Sequence, residues 1–315
     1  MQKPINKNAT RQACQLLQRL CTVAGKKIIT GQHTQTVAME EIEYIYEKTG
    51  YKPLLRGFEL LSYSSNINEK DAGPACLKEV YENRHTLETA LTWALETQGI
   101  VTMTFHWFSP VGGRDKSFYT ENTDFDPSQV LKPDTPERKA FFHDMDVIAE
   151  HLRIFQKAGI PILWRPFHEA EGAWFWWGSK GPEIAKELYK LMVRYYIDVH
   201  HLDHLLWVWN CPLKEGYPGD DYVDVISRDV YASIGKVTDY KEEYDQLIRN
   251  TTNRKVAALA EVGVIPDVEL LEQSHVPWAY YMTWSKEFCI GEAYNTEKNL
   301  KKMYGSTYSI KEGTF

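Results

Sequence analysis

No stretch of this chain approaches the about 20 consecutive apolar residues that a membrane-spanning helix needs. Nor is there a tract of Lys or Arg: the net charge is −7, which argues against a nucleic-acid surface. Cysteine is scarce and odd in number. The five (Cys14, Cys21, Cys76, Cys211, Cys289) include no CxxC pair, so neither a disulfide framework nor a zinc site is expected, only buried free thiols. No GxGxxG or GxxxxGK[ST] follows the first strand, which removes the main signature of nucleotide binding. The segment HHLDH (His200, His201, His204) looks metal-like, but it falls where a helix ends and a strand begins and reads as a solvated helix terminus. No metal or other cofactor is therefore expected. The polar N-terminus MQKPINKNATRQ lacks a signal-peptide core, which leaves a cytoplasmic protein or an exported one whose leader has been removed.

What the chain has in quantity is apolar and aromatic surface. Hydrophobic residues make up 43% of its 315 positions, enough for a full core, and 10 Trp and 19 Tyr accompany them. Tryptophan's flat face suits either core filling or stacking on a planar or sugar ligand. Short β-rich runs recur at Lys27–His33, Pro53–Leu60, Ile100–His106, Pro161–Phe167, His204–Asn210, Asp224–Tyr231, Val256–Glu261 and Trp278–Trp284. Helical patterns lie between them, the clearest at Glu137–Ala158, where Met145, Ile148, Ala149, Leu152 and Phe155 mark one buried face. Strict strand–helix alternation implies a parallel sheet, and eight units imply closure into a (β/α)8 TIM barrel. An extra helix over residues 6–25 precedes the first strand. With no linker or repeat beyond the βα unit, residues 1–315 read as a single catalytic domain, expected to be monomeric.

In such a barrel the chemistry sits at the C-terminal ends of the strands. Those ends carry His33, Glu59, His106, His168 with Glu169, Trp209 with Asn210, Asp229 with Tyr231, Glu261 and Trp284. Glu169 and Glu261 end strands four and seven, expected to face each other with two strands between them on either side. Two opposed carboxylates are what glycosidic cleavage requires: one protonated to assist the departing oxygen, the other ionised to attack the anomeric carbon. The segment ILWRPFHEAEGAWFWWG (162–178) sends Arg165, His168 and Glu169 off an apolar strand into a loop with Trp174, Phe175, Trp176 and Trp177. Read as a wall, these aromatics partly desolvate Glu169 and raise its pKa; read as a plug, they fill space under the loop. Tyr231 is placed to hydrogen-bond the Glu261 nucleophile. The long loop Phe108–Pro136 follows strand three and is expected to shape the binding groove.

WRPFHE followed by GAWFWWG resembles the acid/base strand of glycoside hydrolase family 26, whose best-known members are β-mannanases. GQHT (31–34), FHWFSP (105–110), YPGDDYVDVISRDVY (217–231), AEVG (260–263) and MTW (282–284) extend the resemblance over nearly the whole chain, in order. It implies Glu169 as acid/base and Glu261 as nucleophile of a retaining double displacement. It also implies that His106, His168, Trp174, Tyr231 and Trp284 line the subsite at the scissile bond, with Arg165 in support and Asp229 as a polar subsite residue. The family commonly reads HE-Met-Asn-Gly where this chain has Ala170-Glu171; the added carboxylate either perturbs the acid or points at solvent. The implied substrate is mannan, glucomannan or a manno-oligosaccharide, with lichenan and β-1,3-xylan as alternatives within the family. A non-catalytic carbohydrate-binding barrel is disfavoured because both carboxylates are present. A metal-dependent barrel hydrolase is disfavoured because GQH supplies one histidine where HxH is needed.

Overall fold

The computed structural model describes residues 2–314. Its first strand, β1, is split at Thr30 into Ile28–Ile29 and Gly31–His33. There follow β2 (Leu55–Glu59), β3 (Ile100–Thr104), β4 (Ile162–Arg165), β5 (Leu205–Asn210), β6 (Val225–Val230), β7 (Val256–Val262) and β8 (Trp278–Thr283). Each pairs in parallel with the next and β8 returns to β1, closing the barrel. A short β9 (Ser309–Ile310) pairs with Ile28–Ile29. All eight expected strands are present, and every C-terminal end opens at one mouth.

The helices follow from local signals. α1 (Arg11–Val23) starts where the Thr10 side chain accepts from Ala13 N, and is shorter than the stretch read from sequence. Its Leu16, Leu17 and Leu20 share one apolar cluster with Leu55, Leu163, Leu206 and Val208 of the barrel, closing the end opposite the mouth. α2 (Glu40–Thr49), α3 (Pro74–Glu82) and α4 (Thr86–Thr97) precede α5 (Pro136–Lys157), which Thr135 caps and Pro136 begins. α6 (Pro182–Arg194), α7 (Lys241–Ile248), α8 (Val268–Ser274) and α9 (Glu297–Gly305) complete the outer layer.

Strict alternation fails twice. Two helices, α3 and α4, separate β2 from β3, and no α-helix separates β5 from β6, where only a 3-10 turn at Asp220–Tyr222 forms. Pro212, Gly216, Pro218 and Gly219 account for the missing helix, since glycine costs about 1 kcal/mol and proline about 3 in a helix interior. Nor do β4 and β7 divide the barrel evenly: β5 and β6 lie between them on one side and four strands on the other. The cysteines are all free, but Cys14 is exposed and Cys21 half-buried, against the expectation of buried thiols throughout.

One irregularity decides what faces the barrel interior. Along β7, Ala258 packs with the inner cluster and Ala257 and Leu259 with the outer one, so simple alternation would turn Glu261 outward. The register between β6 and β7 slips instead: Arg228 pairs with Leu259 and Asp229 with Glu261, leaving Ala260 as an extra residue. The pairing with β8 also takes up a residue between Leu259 and Val262. This bulge brings Glu261 alongside Asp229 at the mouth.

The aromatic run after β4 divides. Phe175, Trp176 and Trp177 are buried, with Trp176 Nε1 donating to Trp107 O (2.6 Å) and Trp177 Nε1 to His168 O (2.9 Å). They form a plug beneath the loop, and only Trp174, 48% exposed, fits the wall reading. Trp177→Ala should therefore lower the unfolding free energy by about 3–5 kcal/mol and Trp174→Ala by less than about 1 kcal/mol. Urea denaturation of the two variants side by side measures this, and equal losses would contradict the division.

Candidate active site

Four inward-facing positions converge where the strands end. Arg165, the last residue of β4, is 1% exposed, and its guanidinium is shared between two carboxylates. Nη1 donates to Asp229 Oδ2 (2.7 Å) and Nη2 donates to Glu261 Oε1. Asn210, ending β5, extends the cluster: Nδ2 donates to Asp229 Oδ1 (2.9 Å) and Oδ1 accepts from Glu169 N (2.6 Å). The other Glu261 oxygen, Oε2, accepts from the Tyr231 hydroxyl at 2.9 Å. Arg165, expected in support, and Asp229, expected as a polar subsite residue, thus both bear on the carboxylates.

Glu169 leaves β4 in a strained posture. Its φ of 50° is the left-handed region that non-glycine residues enter at a cost. The conformation is held by Asn210 on its own N–H, by Ala170 N donating to Asn210 O (3.2 Å), and by Gly172 N donating to Glu169 O (2.9 Å). The carboxylate accepts from Trp174 Nε1 at 2.8 Å. Burial, the nearby Glu261 charge and Glu171 together push its pKa up to about 7, although the Trp174 bond and Arg165 pull the other way. Glu171 does not point freely at solvent: it is half-buried, its Oε2 is enclosed without a hydrogen-bond partner among the described residues, and burial raises its own pKa.

A hydrogen-bonded carboxylate–imidazole pair flanks this cluster. Glu59, ending β2, lies 2.7 Å from His106 Nδ1 and also accepts from His106 N (2.8 Å), Leu61 N (2.9 Å) and Thr104 Oγ1 (3.0 Å). Burial opposes a charge on His106, but Glu59 outweighs it and raises the imidazole pKa. His106 Nε2 lies 3.2 Å from His168 Nε2. His168 stays neutral, since burial and the charges of His106 and Arg165 hold its pKa well below the usual value. Trp284, half-buried, stacks on His33 with ring centroids 4.0 Å apart and lies 6.1 Å from His106. The structure therefore brings His106, His168, Trp174, Tyr231 and Trp284 around the two glutamates. Glu59 and Asn210 stood at strand ends in the sequence but carried no role there; a polar side chain ending an apolar strand was the available signal.

One oxygen from each of Glu169, Asp229 and Glu261 lies within 4.8 Å of the other two. The spacing suits a cation, but Arg165 already donates to two of the three. The HHLDH histidines are not gathered into a comparable group: His200 meets Asp146 (2.8 Å), while His204 is buried on Gln156 rather than solvated (3.0 Å). Chemically, the mouth holds one carboxylate fixed beside a permanent cation and one that gains and loses a proton near neutral pH.

Residues 5–314 match the sequence profile of Glycosyl hydrolase family 26. A mannan endo-1,4-β-mannosidase of Thermothelomyces thermophilus is 36% identical over 314 residues, covering 97% of this chain, which spans 61% of that relative's length. The crystal structure of the Podospora anserina GH26-CBM35 β-(1,4)-mannanase superposes with a TM-score of 0.87 at 36% identity, covering 98% of this chain and 68% of that one. The β-mannanase of a symbiotic protist of the termite Reticulitermes speratus, solved with a gluco-manno-oligosaccharide, gives 0.85 at 30% identity, with coverage of 98% and 96%. With both carboxylates in place at the mouth of a closed barrel, the chain belongs to glycosyl hydrolase family 26.

Proposed function

We propose that this chain hydrolyses β-1,4-mannosidic linkages in mannan or glucomannan with retention of configuration, Glu169 serving as general acid/base and Glu261 as nucleophile. The observation that carries this reading is the approach of the two carboxylates: one oxygen of each lies within 4.8 Å of the other, closer to the about 5–5.5 Å separation of retaining enzymes than to the about 6.5–9.5 Å that inverting enzymes keep for a water. In the first step Glu169 donates its proton to the glycosidic oxygen while Glu261 attacks the anomeric carbon. The leaving sugar departs and a glycosyl-enzyme forms. Water then enters, Glu169 removes its proton, and the hydroxide equivalent displaces Glu261. Arg165 and Tyr231 position the nucleophile and keep its charge balanced. The exposed Trp174 and half-buried Trp284 supply faces for sugar rings. The mannan assignment draws on what the relatives act on, and on the WFWWG loop.

The product should first appear as the β-anomer, observable by proton NMR before mutarotation; an initial α-anomer would overturn the mechanism. Glu261→Ala should abolish turnover of every substrate. Glu169→Ala should spare glycosides with activated phenolate leaving groups, accumulate their covalent intermediate, and be accelerated by azide.

The pH dependence follows from the raised acid. Glu169 must be protonated in the first step, so kcat/KM should fall as pH rises through about 7. That falling limb should vanish for substrates whose leaving group needs no proton. A limb unchanged by leaving group would remove Glu169 from the acid role.

Reducing-sugar assays on mannan, lichenan and β-1,3-xylan, with and without EDTA, test the substrate. Mannan should be cleaved to short oligosaccharides in the presence of the chelator. Faster turnover of lichenan or xylan would reassign the substrate and leave the mechanism intact.

A further inference from the structure

We infer that Gly172 is a positioning residue for the acid/base: its bare α-carbon is the seat on which the Trp174 indole lies so that Nε1 reaches Glu169. This rests on the proposed role of Glu169. A Cβ at position 172 would overlap Cη2, Cζ2 and Cζ3 of the Trp174 ring, and those are its three nearest neighbours. The backbone at 172 lies outside the left-handed region, so no conformational demand for glycine exists there. The requirement is for the space the indole fills.

Neither partner is free to retreat. Gly172 N–H is tied to Glu169 O (2.9 Å), and its carbonyl oxygen packs so closely on the α-carbon of Gly178 that a side chain there would overlap it. Trp174 is pinned from the far side by the long loop after β3. Thr120 N donates to Trp174 O (2.7 Å), Thr120 Oγ1 donates to Ala173 O (2.7 Å), and Tyr119 bridges Phe175 in antiparallel fashion. With the backbone held on both sides, a methyl group at 172 has to be accommodated by swinging the indole. That breaks the 2.8 Å bond from Nε1 to Glu169 Oε2 and tilts the face offered to sugar.

The bond lowers the affinity of Glu169 for its proton, because an N–H donor stabilises the carboxylate. Losing it should therefore move the falling limb of kcat/KM to higher pH. The loss of an oriented donor and a stacking face should also lower kcat/KM about ten- to a hundredfold. Trp174→Phe, which retains a ring and deletes the N–H, should move the limb in the same direction.

The test is a double-mutant cycle of Gly172→Ala and Trp174→Ala, read as kcat/KM against pH on a manno-oligosaccharide, with thermal unfolding of each variant. In the wild-type background Gly172→Ala should lower kcat/KM and raise the limb. In the Trp174→Ala background the same substitution should change neither, since the methyl group then enters emptied space. Should Gly172→Ala alone fail to fold, the double variant should fold as well as Trp174→Ala does. An equal effect of Gly172→Ala in both backgrounds, a double variant that fails to fold, or an unmoved limb with Trp174 intact would overturn the proposal. Glu169→Ala, assayed in parallel, separates this from failure of the underlying reading: if it still cleaves mannan at a normal rate, the acid assignment fails first.

Discussion

A single buried cation organises the mouth of this barrel. Arg165 is enclosed on every side, and a guanidinium in that position is tolerated only if its charge is matched at close range. Asp229 and Glu261 supply the match, and each passes the constraint on. Through Glu261 it reaches the Tyr231 hydroxyl. Through Asp229 and Asn210 it reaches the backbone N–H of Glu169. The two carboxylates that do the proposed chemistry are therefore positioned from one point, from opposite directions. Removal of the cation would leave two buried carboxylates facing each other, a far larger loss than that of one ion pair.

The same arrangement divides the labour between two residues of identical chemistry. Glu261 sits against a permanent positive charge and a hydroxyl donor. Glu169, a few ångströms away, has burial and negative neighbours on most sides and one indole donor as its partner. Burial, Glu261 and Glu171 raise the Glu169 pKa. The adjoining histidines diverge in the same way: Glu59 raises the pKa of His106, while burial, His106 and Arg165 hold that of His168 well down.

Much of this was legible in the chain because strand ends in a barrel are a sharp filter. A run such as ILWR followed by PFHE announces both an inward face and a mouth, and the eight runs give closure. Three things were not legible. The bulge at Ala260 leaves no mark in AALAEV, since small residues are compatible with either register, yet without it Glu261 would face the outer helices. WFWW contains three plug residues and one exposed face, and only the register of the loop separates them. The spread of charge from Arg165 through Asp229 and Asn210 joins residues 64 and 19 positions apart, and spacing alone does not link them. In each case the missing information is which way a side chain turns, which the tertiary contacts decide.

The left-handed backbone at Glu169 has a consequence for how such a chain drifts or is engineered. Glycine or asparagine would occupy that conformation more comfortably, and either would also remove a carboxyl group whose charge the surroundings disfavour. The position the proposed chemistry can least do without is thus one where the fold has something to gain from replacement. Selection on heat resistance alone would tend to erase the acid early, leaving a sturdier barrel with nothing to donate.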